Sequence, residues 1–364
     1  MNIILSTLRK KRRFRCAVVC KTWYILITGK PFKMKLPQPS DLVIQRYTRR
    51  TGPLYFPTIK YLTVSLGTKN PALPEISQPP LHFLEANDIH AHGIRISQSC
   101  NGLFLCPADI TNNYLSPHAK NNAHVKHYVY NPTTNKTRLI PLPSLDYYKR
   151  HVTAMNLAFD PSNSPHYKIV SLSTINETFF SYTQVDIYSS ETWSWKVSKA
   201  FPKNCSHVDF SRGVFLNGSI HWPSYTEDSS YYFHVENECF KLMPMPPVQD
   251  QRSRRSIRFF DESGGWLLLI DFHEPFPTKF DVFGMENDYS GWSVKYRVDF
   301  SLRTWFIEKF HVMSVICGGD DEDDSLLVIY VPGRDKAGKG LLTYNLSNTK
   351  LKKSDIKEEL IFQV

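Results

Sequence analysis

One pattern recurs five times along this chain of 364 residues: an apolar strand-like run, a second run, a polar turn and a third run. The sets are GLFLCP (102–107) with HYVYNPTTNKTRLIPLP (127–143), and HYKIVSLS (166–173) with QVDIYSSETWSWKVS (184–198). They continue as GVFLNGSIHWPS (213–224) with YYFHVENECFKLMPMPP (231–247), then GWLLLIDF (265–272) with KFDVFGMENDYSGWSVKYRV (279–298). The last is SLLVIYVP (325–332) with GLLTYNLSNTKLKK (340–353). Equivalent positions are Tyr130, Tyr188, Val235, Val282 and Tyr344, so the period runs from about 47 to 62 residues, near kelch-type propeller spacing. Runs rich in β-branched and aromatic residues, punctuated by Pro, Asn, Asp and Gly, read as strands. Small sheets apolar on both faces must be covered on both, and stacking copies around an axis does this. A sandwich is the competing all-β arrangement, but it gives no reason for the repeated internal order. The expected fold is therefore mainly β, with a propeller-like domain of about six blades over residues 41–364. Leu42–Tyr47, Tyr61–Ser65 and Leu81–Leu84 are the strand-like pieces expected to supply the sixth.

Before residue 36 the periodicity is different. Leu5 to Ile27 reads as one or two helices, broken around Gly29-Lys30-Pro31, and the prolines of LPQPS (36–40) form a linker. From Cys16 to Ile27 only Lys21 and Thr22 are clearly polar. A helix apolar all round must be covered on all sides, so Phe14–Phe32 needs a partner, either the rest of the chain or another protein. That requirement points to recruitment.

Charge is distributed unevenly. The net charge is +10, but the first fifty residues hold thirteen Lys and Arg against one acid, Asp41, a net +12. The other 314 residues hold 31 bases and 33 acids, a net −2. A basic whole-chain balance would suggest nucleic acid, yet the body of the protein is neutral, and RKKRR (9–13) lacks the interleaved aromatics that stack bases. Nucleic acid is disfavoured as a partner. The seven cysteines are odd in number, irregularly spaced and without a Cys-x-x-Cys pair, which disfavours a disulfide framework or a zinc site and favours buried reduced thiols. No run reaches the roughly 18 apolar residues of a membrane span, and Ile3–Leu8 is too short for a secretory core. The expected location is cytosol, nucleus or both, with no membrane partner and no cofactor.

The N-terminal run resembles the second half of a plant F-box. Ile4, Leu5, Ser6 and Leu8 match its start, Val19, Cys20, Lys21 and Trp23 match its end, and Leu26, Ile27, Pro31 and Phe32 continue it. The remainder is similar to the F-box-associated domain of the same plant family. SCNGLFLC (99–106) is its most specific phrase, followed in family order by HYVYNPTTNKTRLIPLP, NLAFDPSNSPHYKIV, IYSSETWSW, GVFLNGSIHW and MENDYSGWSVKYRV. The resemblance implies a partial F-box over 1–35 and a non-catalytic substrate receptor of a cullin-based SCF ubiquitin ligase. It further implies a Skp-type adaptor bound through Ile4, Leu5, Leu8, Phe14, Val19, Cys20, Trp23 and Leu26, a cullin bound through that adaptor, and an unknown target protein held by the propeller. The family motif begins earlier, with a Leu-Pro, and Arg9 to Arg13 replace its Pro-Val-Lys-Ser-Leu, so Arg13 stands at a leucine position. Two alternatives follow: a stand-alone interaction propeller that has lost adaptor binding, or a nucleic-acid-binding protein using the basic arm.

Elsewhere the residues read as structure. Asp320 to Asp324 lacks the alternating ligands and glycine of a calcium loop and is expected to be an exposed connection. Arg252, Arg254, Arg255 and Arg258 read as a solvated blade connection. His90, His92, His124 and His127 have no third ligand at a metal spacing. Trp193, Trp195, Trp222, Trp266 and Trp292 recur at similar repeat positions, which favours blade core over a ligand cage.

Overall fold

Segments such as WLLLID (Trp266–Asp271) are apolar at nearly every position, not at every second one, and the strand arrangement explains why. The computed structural model describes residues 41–48, 58–65, 76–77, 96–109, 125–131, 134, 136–143, 150–177, 181–202, 205, 207–246, 255–272, 278–301, 310–318, 325–331 and 340–354. Residues 1–40, with the F-box positions Ile4 to Leu26 and the RKKRR run, lie outside these, as do Asp320–Asp324, His90, His92 and His124. The described part is mainly β, and its one helical element is a single 3-10 turn, Phe210–Arg212.

Five four-stranded antiparallel sheets follow one another in chain order. Blade 1 is β4 (Gln98–Cys100), β5 (Leu103–Asp109), β6 (Val125–Asn131) and β7 (Lys136–Ile140). Blade 2 is β8 (Arg150–Ala158), β9 (Lys168–Asn176), β10 (Ser181–Ser189) and β11 (Ser194–Val197). Blade 3 is β12 (Val214–Leu216), β13 (Ser219–His221), β14 (Ser229–His234) and β15 (Cys239–Pro244). Blade 4 is β16 (Ile257–Ser263), β17 (Trp266–Asp271), β18 (Lys279–Met285) and β19 (Trp292–Asp299). Blade 5 is β20 (His311–Ile316), β21 (Leu326–Val331), β22 (Gly340–Asn345) and β23 (Leu351–Ser354). First strands touch first strands: β4 meets β8, β8 meets β12, β12 meets β16 and β16 meets β20. The sheets therefore fan out from a common axis as propeller blades.

The expectation of about six blades is corrected to five. β1 (Asp41–Thr48), β2 (Thr58–Ser65) and β3 (Ile76–Ser77) form a three-stranded sheet instead of a sixth four-stranded blade. Pro74 on one side of β3 and Pro79-Pro80 on the other offer no N–H to a ladder, which fits its two-residue length. Leu81–Leu84 lies outside the described residues. The three-run repeat also missed first strands: RHVTAMNLA in blade 2, IRFFDES in blade 4 and HVMSVI in blade 5, whereas that of blade 3 lies inside GVFLNGSIHWPS.

The core lies between blades. Leu105, Val129 and Ile140 of blade 1 pack on Leu157, Ile169 and Tyr188 of blade 2. Val170, Leu172 and Val185 of blade 2 pack on Ile220, Trp222 and Phe233 of blade 3. In β17, Leu267 and Leu269 face blade 3 while Leu268 and Ile270 face blade 5. Side chains alternate across a strand, so a strand buried on both faces must be apolar at successive positions. First hairpins are closed by Asn101-Gly102, Asn217-Gly218 and Gly264-Gly265, all at positive φ, the I′ geometry whose twist matches the flanking strands.

Polar clasps join the blades where the apolar faces end. The Gln98 side-chain amide both donates to Leu157 O (3.0 Å) and accepts from Leu157 N (2.6 Å). Trp195 Nε1 donates to Pro141 O and Trp292 Nε1 to Pro244 O, each at 2.8 Å. The same indole-to-carbonyl contact thus joins blade 2 to blade 1 and blade 4 to blade 3. Between blades 2 and 3, Lys168–Glu236 (2.7 Å) and Lys196–Glu238 (2.5 Å) stand there instead. All five fourth strands carry Lys or Arg, which protects open sheet edges against pairing with other chains.

Candidate functional site

Blade 2 has strands of unequal length. β10 pairs with β9 along all nine residues, but β11 covers only Asp186–Ser189. Ser198 N adds one rung to Val185 O (2.9 Å). The Ser198 hydroxyl then accepts from Ala200 N (3.2 Å), and the chain turns off the sheet toward Phe201-Pro202. Proline has no N–H, and it disfavours ladder geometry locally. In the Ser181–Gln184 half of β10, no backbone hydrogen bond among the described residues reaches Ser181 or Thr183 from that side.

A groove of about 730 Å³ lies along this open half, lined among others by Tyr182, Thr183, Gln184, Val197, Phe201 and Cys205. Tyr182 is 44% exposed, Val197 59% and Phe201 61%, unusual for large apolar side chains. Among the described residues of the lining, Lys199 is the one that carries a charge. Gln184 is held in place from behind. Its Nε2 donates to Asp186 Oδ1 (3.1 Å), and the buried Asp186 is paired with the buried Arg150, which also donates to Ser173 Oγ. Burial raises the Cys205 thiol, with a hydrogen bond from Thr183 opposing, so it stays protonated and is a poor nucleophile. The groove has the features of a binding surface, and none of its described lining residues is a nucleophile poised for chemistry.

A second polar locus lies at the axial ends of the first strands. Asp261 is open to solvent yet surrounded by protein. That desolvation pushes it up to about 6, with the Glu262 charge adding to it and the Glu262 N–H and Arg212 opposing. Glu262 is likewise raised by desolvation, against a hydrogen bond from Gly265 N. No group of three potential metal ligands occurs among the described residues.

His221 is fully buried between blades 3 and 4, stacked on Tyr232 and Tyr289 at ring separations of 5.4 and 5.5 Å. Its Nδ1 donates to Val214 O (3.2 Å), so Nε2 accepts from the Tyr289 hydroxyl (2.7 Å). Desolvation lowers it to about 4. This neutral, fully bonded histidine serves the blade interface. Cys100 and Cys106 are buried free thiols pushed up to about 12, which makes both inert.

Two readings of the sequence are corrected here. Arg255 is not solvated: it is 3% exposed and paired with Asp228 (3.2 Å) and Asp271 (3.6 Å), because its backbone N–H is tied to Tyr225 O inside the blade 3–4 boundary. Arg258 is exposed over the Phe272 ring, and Arg252 and Arg254 lie outside the described residues. Trp222 is core, but Trp193 is 50% exposed. It sits at positive φ in the β10–β11 turn, with the Arg138 guanidinium 3.9 Å above its ring. The groove, Gln98, His221 and Asp261 were not singled out in the sequence. The mismatch between nine-residue SYTQVDIYS and four-residue SWKV, ended by SKAFP, was the signal available for the groove.

Residues 59–349 match the family described as F-box associated beta propeller domain, and residues 1–35 match the F-box domain. Among curated relatives, F-box protein At5g07610 of Arabidopsis thaliana is 30% identical over 360 residues, spanning 91% of this chain and 80% of that protein. F-box protein At5g49610 of the same plant is 23% identical over 286 residues, 74% of this chain and 70% of its own length. F-box/LRR-repeat/kelch-repeat protein At2g27520, also from Arabidopsis thaliana, is 29% identical over 160 residues, 43% of this chain and 40% of its own. With its propeller and its N-terminal match, the chain belongs to the F-box proteins that carry an F-box associated beta-propeller domain.

Proposed function

We propose that this protein is the substrate-receptor subunit of an SCF-type ubiquitin ligase. Its F-box would bind a Skp-type adaptor, and through it a cullin, while the propeller holds a target protein. The observation that carries this reading is the union in one chain of an F-box match (1–35) and a propeller match (59–349). A receptor of this kind performs no bond chemistry. It raises the effective concentration of a target near a ubiquitin-charged enzyme. In this role Ile4, Leu5, Leu8, Phe14, Val19, Cys20, Trp23 and Leu26 make the adaptor contact, and the protein works in cytosol, nucleus or both.

Arg13 at a leucine position favours a second reading, a stand-alone interaction propeller, because an unpaired Arg is costly to bury against a partner. Co-expression of the full chain with a Skp-type adaptor and a cullin, followed by affinity purification at low and physiological salt, separates the readings. A complex that survives physiological salt is expected. A folded chain that leaves the adaptor unbound at both salts refutes the receptor reading. Steeply salt-dependent retention of nucleic acid in its place would favour the basic arm as a nucleic-acid ligand.

A further inference from the structure

We propose that the groove beside the open half of β10 is where the target docks, and that its occupant is an extended, acidic-apolar peptide segment added to blade 2 as a strand. This rests on the receptor reading above and gives it a site and a ligand class. Val185 O accepts from Ser198 N on the β11 side. N–H and C=O groups of alternate residues point to the same side of a strand, so those of Thr183 and Ser181 face the groove. No hydrogen bond joins them to a described backbone on that side. An extended chain satisfies such an edge with its own backbone, while its alternate side chains enter flanking pockets.

The flanks define the rest. Tyr182, Val197 and Phe201 offer exposed apolar surface at the two walls, which suits apolar side chains at every second position of the occupant. Lys199, the charged residue among the described lining, is complementary to an Asp or Glu beside them. The Arg150–Asp186–Gln184 chain fixes one wall before anything binds, which lowers the ordering cost of association. The fourth strands, which form the outer edges of the blades, each bear Lys or Arg, whereas SYTQ (181–184) has none, so this stretch lacks the charge that blocks pairing.

The test is a displayed library of short random linear peptides panned on the full-length chain, followed by synthesis of the selected peptides with each backbone nitrogen methylated in turn. Selected peptides are expected to be acidic, with apolar residues at alternate positions. Methylation should weaken binding roughly tenfold at every second residue and little at those between, because only alternate N–H groups meet the edge. Phe201→Asp should weaken the same peptides with an unchanged melting transition, and the methylation series tests the point without altering the protein. No enriched peptide, enriched basic peptides, methylation effects without alternation, or indifference to Phe201→Asp would each overturn the proposal. So would a synthetic peptide of residues 9–35 binding more tightly than the selected ones, which assigns the groove to this chain's own segment. Concentration-dependent self-association abolished by Phe201→Asp overturns it in favour of a second copy. Adaptor co-purification reads the receptor function separately, so failure of the groove and failure of that function give different results.

Discussion

At Gly213 one missing methyl group lets blades 2 and 3 close. A Cβ there would lie 1.9 Å from Asn156 Oδ1 and 2.8 Å from Trp222 Nε1, the two atoms that bond each other across the interface at 3.3 Å. The backbone of Gly213 is ordinary extended chain, so the constraint is space and not conformation. Gly213→Ala is expected to destabilise by about 1–3 kcal/mol in urea unfolding, as overpacking does. His221 sets a second residue-scale expectation. Its unfolded value is 6.5 and its folded value about 4, so the unfolded chain takes up a proton first as pH falls. The stability it contributes is complete above pH 6.5 and is lost between there and pH 4, about 3 kcal/mol in all. Asp261 acts oppositely: raised from 3.8 to about 6, it stabilises at the acid end and loses that contribution as pH rises through 6. Urea midpoints measured from pH 7 to pH 4 should therefore fall less steeply for His221→Gln than for the parent chain.

Among the elements, the indole clasps tie fourth strands to the blade before them. Where a fourth strand begins with Trp, as at Trp292, or carries it one residue in, as at Trp195, the preceding blade's terminal proline carbonyl gains a donor. Trp195→Phe and Trp292→Phe keep an aromatic ring and remove the N–H, so each should cost about 1 kcal/mol in unfolding free energy. The clasps sit at different interfaces, and the double variant should show additive losses. Strand content was legible in the sequence because both-face burial leaves continuous apolar runs, as in WLLLID and SLLVIYV. First strands were harder to see. RHVTAMNLA mixes charge and apolar residues because its start carries Arg150, buried only through its pair with Asp186 on β10, a contact that adjacency in sequence does not reveal. Likewise, the groove depends on how far β11 follows β10, and only the pairing register shows that.

On the scale of the whole molecule, the protein divides its work between a short N-terminal match to the F-box and a long, stiff five-bladed body. Blades 2, 3 and 4 bury both faces against their neighbours, so their loops and edges sit on a rigid frame. The family was legible from SCNGLFLC and the phrases after it, but the blade number was not, because strand-like runs before residue 96 look the same whether they complete a blade or form a smaller sheet. Recruitment by the N-terminal segment is the activity proposed for the chain. Its most direct test is calorimetric titration of a Skp-type adaptor into the full-length chain and into the same chain carrying Leu8→Asp and Val19→Asp. Saturable binding by the parent, abolished in the variant while the propeller's melting transition is unchanged, is the expected result. A natively folded parent chain that gives no binding heat at several temperatures, or a variant that binds as well as the parent, would contradict it.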